Sequence, residues 1–384
     1  MTSKQASQDF ERDSHASTGA LKVGVAGARG YSGLELCRLL LKHPMARLTT
    51  CFATQDFKLS DSLPEKSARA VACFSADDLV KISVERKLDV VFLATPVTVS
   101  LKLAPQLIAS GIQIIDLSGA FRLQEGDACQ QAATYQEYYQ IEHSELTLLK
   151  SAQYGLVPWI DAAGESAPKL IANPGCFATA VLMALLPLLK NSLINKFSIV
   201  IDAKSGTTGA GRKAEERLLH AEVAGLCLPY RIGRHQHQPE IQQFAKRFAG
   251  VEIDFQFVTN LISVRRGIIA GVYARISPEL MALAKGAALE KIHESFVSAY
   301  GEDPLVELSR ITGAGGNEEA LLNLRRVVGS ARTHISYALE GDKLYVFSLI
   351  DNLLKGAASQ AVENFNRLLG VPSWLSLTEV EGVL

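Results

Sequence analysis

One cysteine of this chain stands in a setting that favours covalent chemistry. Cys176 directly follows an Asn-Pro-Gly turn at 173–175, and an apolar helical run over 178–186 comes after it. A thiol at the start of a helix lies among unpaired backbone N–H groups and near the positive end of the helix dipole, and both favour the thiolate. The thiolate is the form that attacks carbon. The turn therefore predicts a nucleophile and a covalent intermediate.

Two histidines provide the acid/base that such a nucleophile needs. His235 and His237 are separated by one residue and lie just before a helix that Pro239 can start. Histidine is the side chain used most often for general acid/base catalysis. An H-x-H pair can also chelate a metal, but no third ligand of clear spacing accompanies it, so no metal site is predicted. The spacing leaves open which histidine is catalytic and which is structural.

Arginines are the candidates for binding an anionic substrate. Arg122 follows Phe121, and Arg266 follows Arg265. The planar guanidinium matches the oxygens of a carboxylate or a phosphate. An isolated arginine is at least as often a solvated surface residue, and spacing alone does not decide between these readings.

Glycines recur at every third position where the first predicted strand ends: Gly24, Gly27, Gly30 and Gly33. A dinucleotide turn needs glycines so that the backbone can approach a pyrophosphate at a helix N-terminus. The predicted strand over 21–26 and the helix over 34–42 give the required context. We interpret the turn as nucleotide-binding, the alternative being a purely structural turn.

The end of the second predicted strand favours NADP over NAD. NAD sites often place an acidic residue there for the ribose hydroxyls. This chain instead has Thr54 and Gln55, with Asp56 one step later and Lys58 beyond. A second glycine-rich loop, 205–212, is either a flexible hairpin turn or a set of N–H and hydroxyl donors near the cofactor or a phosphate.

The elements that must position these residues alternate between strands and helices in the first half of the chain. Such alternation predicts an α/β fold with a doubly wound, mostly parallel sheet. The stretch 130–140 has no regular pattern. The second half is richer in strands and ends in an amphipathic helix over 352–369. The predicted strands cover 21–26, 47–53, 89–94, 112–117, 196–203, 254–261, 271–276, 332–337 and 343–349, and the other predicted helices 98–110 and 280–299.

Composition excludes several classes of partner. The 384 residues carry a formal net charge of −1, which gives no general attraction to nucleic acid or anionic membranes. No apolar run reaches the roughly 20 residues of a membrane span. The polar stretch 1–19 fits neither a secretory signal nor a transit peptide, and we expect a disordered extension. The other five cysteines show no metal or disulfide spacing, so free thiols in the reducing cytoplasm are expected: Cys37, Cys51, Cys73, Cys129 and Cys227.

Taken together, the motifs resemble the N-acetyl-gamma-glutamyl-phosphate reductase family of arginine biosynthesis, from about Lys22 to the C-terminus. The resemblance includes the glycine turn, the Asn-Pro-Gly-Cys turn, the 205–212 loop and the histidine pair. It also includes Asp116-Leu117-Ser118 with Phe121-Arg122-Leu123, Arg266-Gly267, and the run from Ile350 to Ala358. A similar set in this order is highly specific, although the glycine turn alone is shared with many dehydrogenases.

The resemblance implies a role for each candidate residue. Cys176 matches the nucleophile, and His235 matches the acid/base better than His237. The residues that the resemblance assigns to substrate binding are Arg122, Arg266 and His237. The implied cofactor is NADP(H), and its candidate contacts are Gly27, Arg29, Gly30, Tyr31, Ser32, Gly33, Thr54, Ser205, Gly206 and Asn352.

The resemblance also implies the architecture. It is a Rossmann NADP-binding domain over 20–172 and 350–384, with an α+β catalytic and dimerisation domain of the glyceraldehyde-phosphate-dehydrogenase type over 173–349. A homodimer or homotetramer acting on a small acyl phosphate is implied. Alternatives are an aspartate-semialdehyde dehydrogenase, a reductase of N-acetyl-aminoadipyl phosphate, and a nucleotide-binding regulator without catalysis.

Overall fold

The computed structural model describes residues 19–160, 167–311 and 317–379. Apart from Gly19, the predicted N-terminal extension lies outside these ranges. The described chain forms two seven-stranded sheets, each covered by helices. The predicted fold class, a Rossmann sheet with an additional α+β unit, is confirmed.

The first sheet is parallel throughout, with strand order β3-β2-β1-β4-β5-β7-β6. Its order changes direction at β1, and ligands of such sheets bind beyond the carboxyl ends of the strands at this point. Apolar clusters cover both faces. The strands are β1 (Leu21–Ala26), β2 (Ala46–Ala53), β3 (Ala72–Ser75), β4 (Val90–Leu93), β5 (Gln113–Asp116), β6 (Gln153–Tyr154) and β7 (Leu170–Ala172). The helices are α1 (Tyr31–Leu40), α2 (Leu79–Glu85), α3 (Val97–Ala109), α4 (Ala128–Tyr139) and α5 (Leu146–Ser151).

The second sheet is mixed, with strand order β12-β13-β14-β11-β8-β10-β9. A largely apolar helix, α6, packs against this sheet and lies in the centre of its core. The strands are β8 (Ile199–Ser205), β9 (Cys227–Tyr230), β10 (Phe255–Ile262), β11 (Ile268–Arg275), β12 (Val306–Arg310), β13 (Thr333–Glu340) and β14 (Lys343–Ile350). The helices are α6 (Cys176–Lys190), α7 (His220–Val223), α8 (His237–Ala249), α9 (Pro278–Met281), α10 (Lys285–Tyr300) and α11 (Glu318–Leu321).

The C-terminal segment returns to the first sheet. A π-helical turn, Leu354–Ala358, is followed by α12 (Ser359–Leu368), whose apolar side chains join the core around α1. The prediction of one continuous amphipathic helix was therefore partly wrong. Polar residues of α12 such as Gln360 and Asn364 are buried rather than solvated, because they pack towards the interior of the molecule.

Two other element predictions need correction. The stretch 130–140, predicted to be irregular, lies in α4, which starts at a capping box formed by Asp127 and Gln130. The single helix predicted over 280–299 is two helices, α9 and α10. The domain limits inferred from the resemblance stay a prediction.

Candidate active site

The cysteine turn connects the first sheet to the core of the second. Strand β7 ends at Ala172, and α6 begins at Cys176, with Gly175 as its N-cap residue. The turn therefore lies at the carboxyl edge of the parallel sheet, where a dinucleotide would approach. Cys176 itself is half-buried and lines a cavity of about 470 Å³.

Backbone hydrogen bonds fix this turn from both sides. The N–H of Asn173 donates to Asp116 O over 2.8 Å, at the end of the neighbouring strand β5. The Nε of Arg122 donates to Asn173 O over 2.8 Å. On the other side, the N–H of Gly175 donates to Glu240 Oε1 over 2.8 Å. The position of the cysteine is thus set by the first sheet and by helix α8.

A buried ion pair supports the turn. Glu240 is fully buried on α8 and also accepts the hydroxyl of Tyr154 over 2.8 Å. Arg122 is only 5% exposed, and its NH1 lies 3.7 Å from Glu240 Oε2. Burial alone would lower the pKa of Arg122, but the attraction of Glu240 raises it above the usual value. Arg122 is therefore held as a cation beside the carboxyl group of Glu240.

Sequence reasoning missed Glu240. Its only local signal was a carboxylate three residues after His237, on the helix that Pro239 was predicted to start. Three residues is one helical turn, so Glu240 and His237 share a face of α8.

Both histidines face the cysteine turn. His235 and His237 are 4% and 5% exposed, and both line the cavity with Cys176. A Cβ on Gly175 would lie 2.3 Å from Nε2 of His237, so this ring packs directly against the turn. The Nδ1 of His235 accepts the N–H of His237 over 3.1 Å. Neutral His235 therefore carries its proton on Nε2 and offers it as a donor.

Burial governs the protonation of these groups. Burial lowers the pKa of His235 to about 3, and the charge of Arg231 adds to the fall. Burial, followed by the charges of His235, Arg122 and Arg231, lowers the pKa of His237. Both rings are neutral at physiological pH.

The expectation that the thiolate prevails at rest was wrong for this structure. Burial raises the pKa of Cys176 to about 11. Arg122 and the N–H groups of Phe177 and Cys176 itself act in the opposite direction, as the helix-terminus argument expects, but they do not outweigh burial. The resting site pairs a neutral thiol with neutral imidazoles.

The two arginines assigned to the substrate already have partners. The NH1 of Arg266 lies 2.6 Å from Glu35 Oε1, and its NH2 lies 2.9 Å from Asp351 Oδ2. Arg122 donates to Asn173 O and to Leu117 O. Neither residue lines the cavity described above, so their contact with substrate stays a prediction.

A third arginine does line the cavity. Arg231 follows β9 directly and is exposed. Its φ is +50°, a value that non-glycine residues rarely adopt. Residues that do adopt it cluster at functional sites. It donates to the amide oxygen of Gln236. The other cation of the cavity wall, Arg217, is paired with Glu215 at 2.8 Å. Among the described residues no carboxylate neutralises Arg231. Sequence reasoning missed it because a positive φ leaves no sequence signature outside glycine.

The glycine turn after β1 has the form of a phosphate cradle. Gly27 has a φ of +78°, and a Cβ there would lie 2.1 Å from Ala94 O. A Cβ on Gly33 would lie 2.3 Å from Gly27 O. Gly30 is the N-cap residue of α1, whose first residues are Tyr31 and Ser32. The backbone can thus approach a pyrophosphate at the N-terminus of α1.

Basic and polar groups lie beyond the end of β2. Thr54 and Gln55 follow the strand, and Arg29 of the glycine turn donates to the amide oxygen of Gln55. A second cavity of about 370 Å³ opens here, and Gln55, Lys58 and Arg69 are among the residues that line it.

The second glycine-rich loop faces the cysteine. Ser205 and Gly206 line the same cavity as Cys176, and the loop continues as a short 3-10 helix, Thr207–Ala210, rather than a hairpin turn. Asn352, which belongs to the C-terminal segment, contacts this loop and fixes it in place. Its Nδ2 donates to Thr208 Oγ1 over 3.0 Å, and its Oδ1 accepts the N–H of Gly267 over 2.8 Å.

In the described part of the chain, no three His, Cys, Asp or Glu side chains are close enough together to hold a metal ion. Within the same ranges, no helix has the length and apolar character needed to cross a bilayer.

Two family models match most of the chain. Residues 22–167 match the NAD-binding domain of semialdehyde dehydrogenases. Residues 176–352 match the dimerisation domain of the same proteins. The boundary between the two matches falls just before Cys176.

Full-length relatives carry one name. The chain is 34% identical to the N-acetyl-gamma-glutamyl-phosphate reductase of Herminiimonas arsenicoxydans over 362 residues, which is 94% of this chain and 99% of the relative. Identity to the reductase of the same name from Thiobacillus denitrificans is 36%, over 94% of this chain and 98% of the relative. Identity to the reductase of the same name from Streptococcus thermophilus is 37%, over 91% of this chain and 96% of the relative.

Solved structures share the fold. A probable aspartate-semialdehyde dehydrogenase from Pseudomonas aeruginosa superposes with a TM-score of 0.62 at 19% identity, over 91% of this chain and 98% of that one. An aspartate semialdehyde dehydrogenase II from Vibrio cholerae superposes with a TM-score of 0.60 at 14% identity, over 92% of this chain and 99% of that one. At this identity the likeness establishes the architecture alone.

Proposed function

The chain belongs to the semialdehyde dehydrogenase family, and from that premise we propose that it is an N-acetyl-gamma-glutamyl-phosphate reductase. It reduces N-acetyl-L-glutamyl 5-phosphate to the 5-semialdehyde and phosphate with NADPH, in arginine biosynthesis. The observation that carries the proposal is the placement of Cys176 at the start of a buried helix, in one cavity with His235, His237 and the 205–206 loop. The full-length relatives bear the name of this enzyme.

The covalent route assigns Cys176 as the nucleophile. Its sulfur attacks the acyl phosphate carbon, the C–O bond to phosphate breaks, the thiol proton leaves with the phosphate as hydrogen phosphate, and a thioester remains on the enzyme. NADPH, when bound, supplies the hydride that reduces the thioester carbon. The resulting thiohemiacetal on Cys176 then collapses to the aldehyde and the free thiol. The covalent intermediate divides one difficult step into two easier ones.

The neutral resting site needs the substrate to make the sulfur reactive. A thiol with a pKa of about 11 and a histidine with a pKa of about 3 do not exchange a proton readily on their own. The acyl phosphate dianion can itself accept the thiol proton as its C–O bond breaks, so His235 keeps its proton on Nε2.

His235 fits the role of proton donor. With Nδ1 occupied by the N–H of His237, its Nε2–H points away from that bond and can donate to the oxygen of a tetrahedral intermediate. The N–H groups at the start of α6 are the other candidates for this oxyanion. Loss of one such donor typically costs roughly 3–4 kcal/mol of transition-state stabilisation. His237, packed against Gly175, is assigned to the substrate side.

We propose NADPH as the cofactor because the neutral residues Thr54 and Gln55 directly follow β2, where NAD sites often have an acid, and the acidic Asp56 comes only after them. Arg29, Lys58 and Arg69 surround this end of the sheet with positive charge, which suits a 2′-phosphate. The test is a comparison of NADPH with NADH for the wild type and for Arg29→Ala. The expected result is a preference for NADPH that the variant reduces. Equal use of both cofactors by the wild type would refute this assignment.

The substrate is tested by a panel of acyl phosphates. Reduction of N-acetylglutamyl phosphate, with little activity on aspartyl phosphate and N-acetyl-aminoadipyl phosphate, is the expected result. Preference for either competitor would reassign the chain to the corresponding reductase, and no activity on any would favour a regulator. A homodimer or homotetramer in the cytoplasm is also proposed, on the match to a dimerisation domain. Light scattering of the purified protein tests the oligomeric state.

A further inference from the structure

The C-terminal segment contacts the cysteine turn directly. Gly356, in the π-helical turn Leu354–Ala358, lies so close that a Cβ there would be 2.8 Å from the Cβ of Cys176. The next residue, Ala357, accepts the side-chain Nδ2 of Asn173 over 3.1 Å through its carbonyl oxygen. Single π-helical turns inside helices occur frequently at functional sites. This one places backbone, rather than side chains, against the nucleophile.

One side chain of α12 completes the contact. The Nδ2 of Asn364 donates to Asn173 Oδ1 over 3.1 Å and to Gly155 O over 2.9 Å. Asn364 is 1% exposed and Asn173 is fully buried. Gly155 gives it room, because a Cβ at that position would lie 2.4 Å from Nδ2 of Asn364. The two hydrogen bonds therefore form in a tightly packed and dry environment.

All the polar groups of Asn173 are satisfied, each by a different part of the molecule. The backbone groups bond to Asp116 and Arg122, and the side chain bonds to Ala357 and Asn364. Asn173 is the first residue of the turn that ends at Cys176. A change in the orientation of its amide would rotate the turn, and the sulfur would move with it.

We infer that Asn364 is a positioning residue for the nucleophile, acting through the amide of Asn173 on the turn that presents Cys176. The inference rests on the proposed role of Cys176 and names a residue 188 positions further along the chain. Asn364 touches neither the cavity nor the sulfur. Its contribution is to the alignment of attack, and misplacement of a reacting group by about 1 Å can cost about 10²-fold in rate.

The test compares Asn364→Ala and Asn364→Leu with Asn366→Ala. Leucine is close to asparagine in shape but has no hydrogen-bond donor, so it separates loss of the hydrogen bond from loss of volume. Asn366 is the matched control, because it is fully buried on the same helix and bonds to His43, Ser373 O and Leu375 O, away from the turn. Thermal unfolding monitors the general damage in all three variants.

Two readouts distinguish positioning from stability. We expect both Asn364 variants to lower kcat by about 10²-fold with little change in KM for NADPH, and to alter the alkylation rate of Cys176 by iodoacetamide, followed on its peptide by mass spectrometry. Asn366→Ala should lower the thermal stability but leave kcat and the alkylation rate of Cys176 near the wild-type values. Asn364 variants that match Asn366→Ala in kcat and alkylation would overturn the inference. Alkylation needs no substrate, so a failure of the proposed reaction would leave this readout intact.

Discussion

The carboxylate of Glu240 accepts the backbone N–H of Gly175 over 2.8 Å, one residue before Cys176. This hydrogen bond joins helix α8, which begins at His237, to the turn that precedes Cys176. Because Glu240 also faces Arg122, the position of the sulfur and the charge around it depend on the same buried carboxylate. Glu240 raises the pKa of Cys176, whereas Arg122 lowers it.

Glu240→Gln separates these two effects. The amide oxygen can still accept from Gly175 and Tyr154, but Arg122 is left as a buried charge without its nearest counterion. Breaking a buried pair in this way typically costs about 3–5 kcal/mol of folding free energy. We expect a lower denaturation midpoint in urea together with a lower pKa of Cys176, measured by pH-dependent alkylation. A variant as stable as wild type would show that the pair is not charged.

Alkylation of wild-type Cys176 should report a protonated resting thiol. Since burial raises the pKa of Cys176 to about 11, the thiolate fraction grows about tenfold per pH unit between neutral pH and pH 10. We expect the rate of carbamidomethylation of this residue to rise over that whole interval. The exposed Cys129 serves as an internal control for the supply of reagent. A plateau for Cys176 near pH 7 would mean that the thiolate is present at rest.

Arg231→Ala should weaken binding of the acyl phosphate. Hydrogen bonds to charged groups contribute about 1.5–3 kcal/mol, which corresponds to roughly 10–150-fold in kcat/KM. The KM for NADPH should stay unchanged, because the residue lies on the histidine side of the cavity. Arg234→Ala, an exposed arginine outside the cavity wall, is the control. Equal effects of the two substitutions would exclude a specific role for Arg231.

Gly356→Ala should displace the cysteine. A methyl group there would lie 2.8 Å from the Cβ of Cys176, which is closer than packed carbon atoms approach. We expect kcat to fall by about 10²-fold while the protein stays folded. Gly286→Ala is the control, because no atom lies within 4 Å of the added methyl group and the residue is helical. Wild-type kcat in Gly356→Ala would show that the turn tolerates movement.

The sequence predicted those parts of the molecule that depend on neighbouring residues. The glycine turn, the start of α6 at Cys176 and the nine predicted strands are local patterns, and the structure has each of them close to its expected position. The short strands β3, β6, β7, β9 and β12 and the helix α4 were not predicted. The contacts that support the turn are not local. Glu240 lies 65 residues from Gly175, and Asn364 lies 191 residues from Asn173.

The protonation state of Cys176 could not be predicted from the sequence either, because it also depends on contacts between distant parts of the chain. The start of a helix is visible in the sequence, and its dipole favours the thiolate. The degree of burial depends on how the two sheets and the C-terminal segment close around the sulfur. Here burial has the larger effect, so the local argument gave the wrong resting state for Cys176.

The covalent role of Cys176 is tested most directly in the reverse direction without phosphate. N-acetylglutamate semialdehyde and NADP+ are mixed with the enzyme, and NADPH is followed by rapid absorbance measurements. We expect a burst of NADPH equal to the concentration of active sites, because without phosphate the thioester on Cys176 is released only by slow hydrolysis, and the Cys176 peptide should gain an N-acetylglutamyl group. Turnover without a burst or an adduct, and a Cys176→Ser variant as active as wild type, would contradict it.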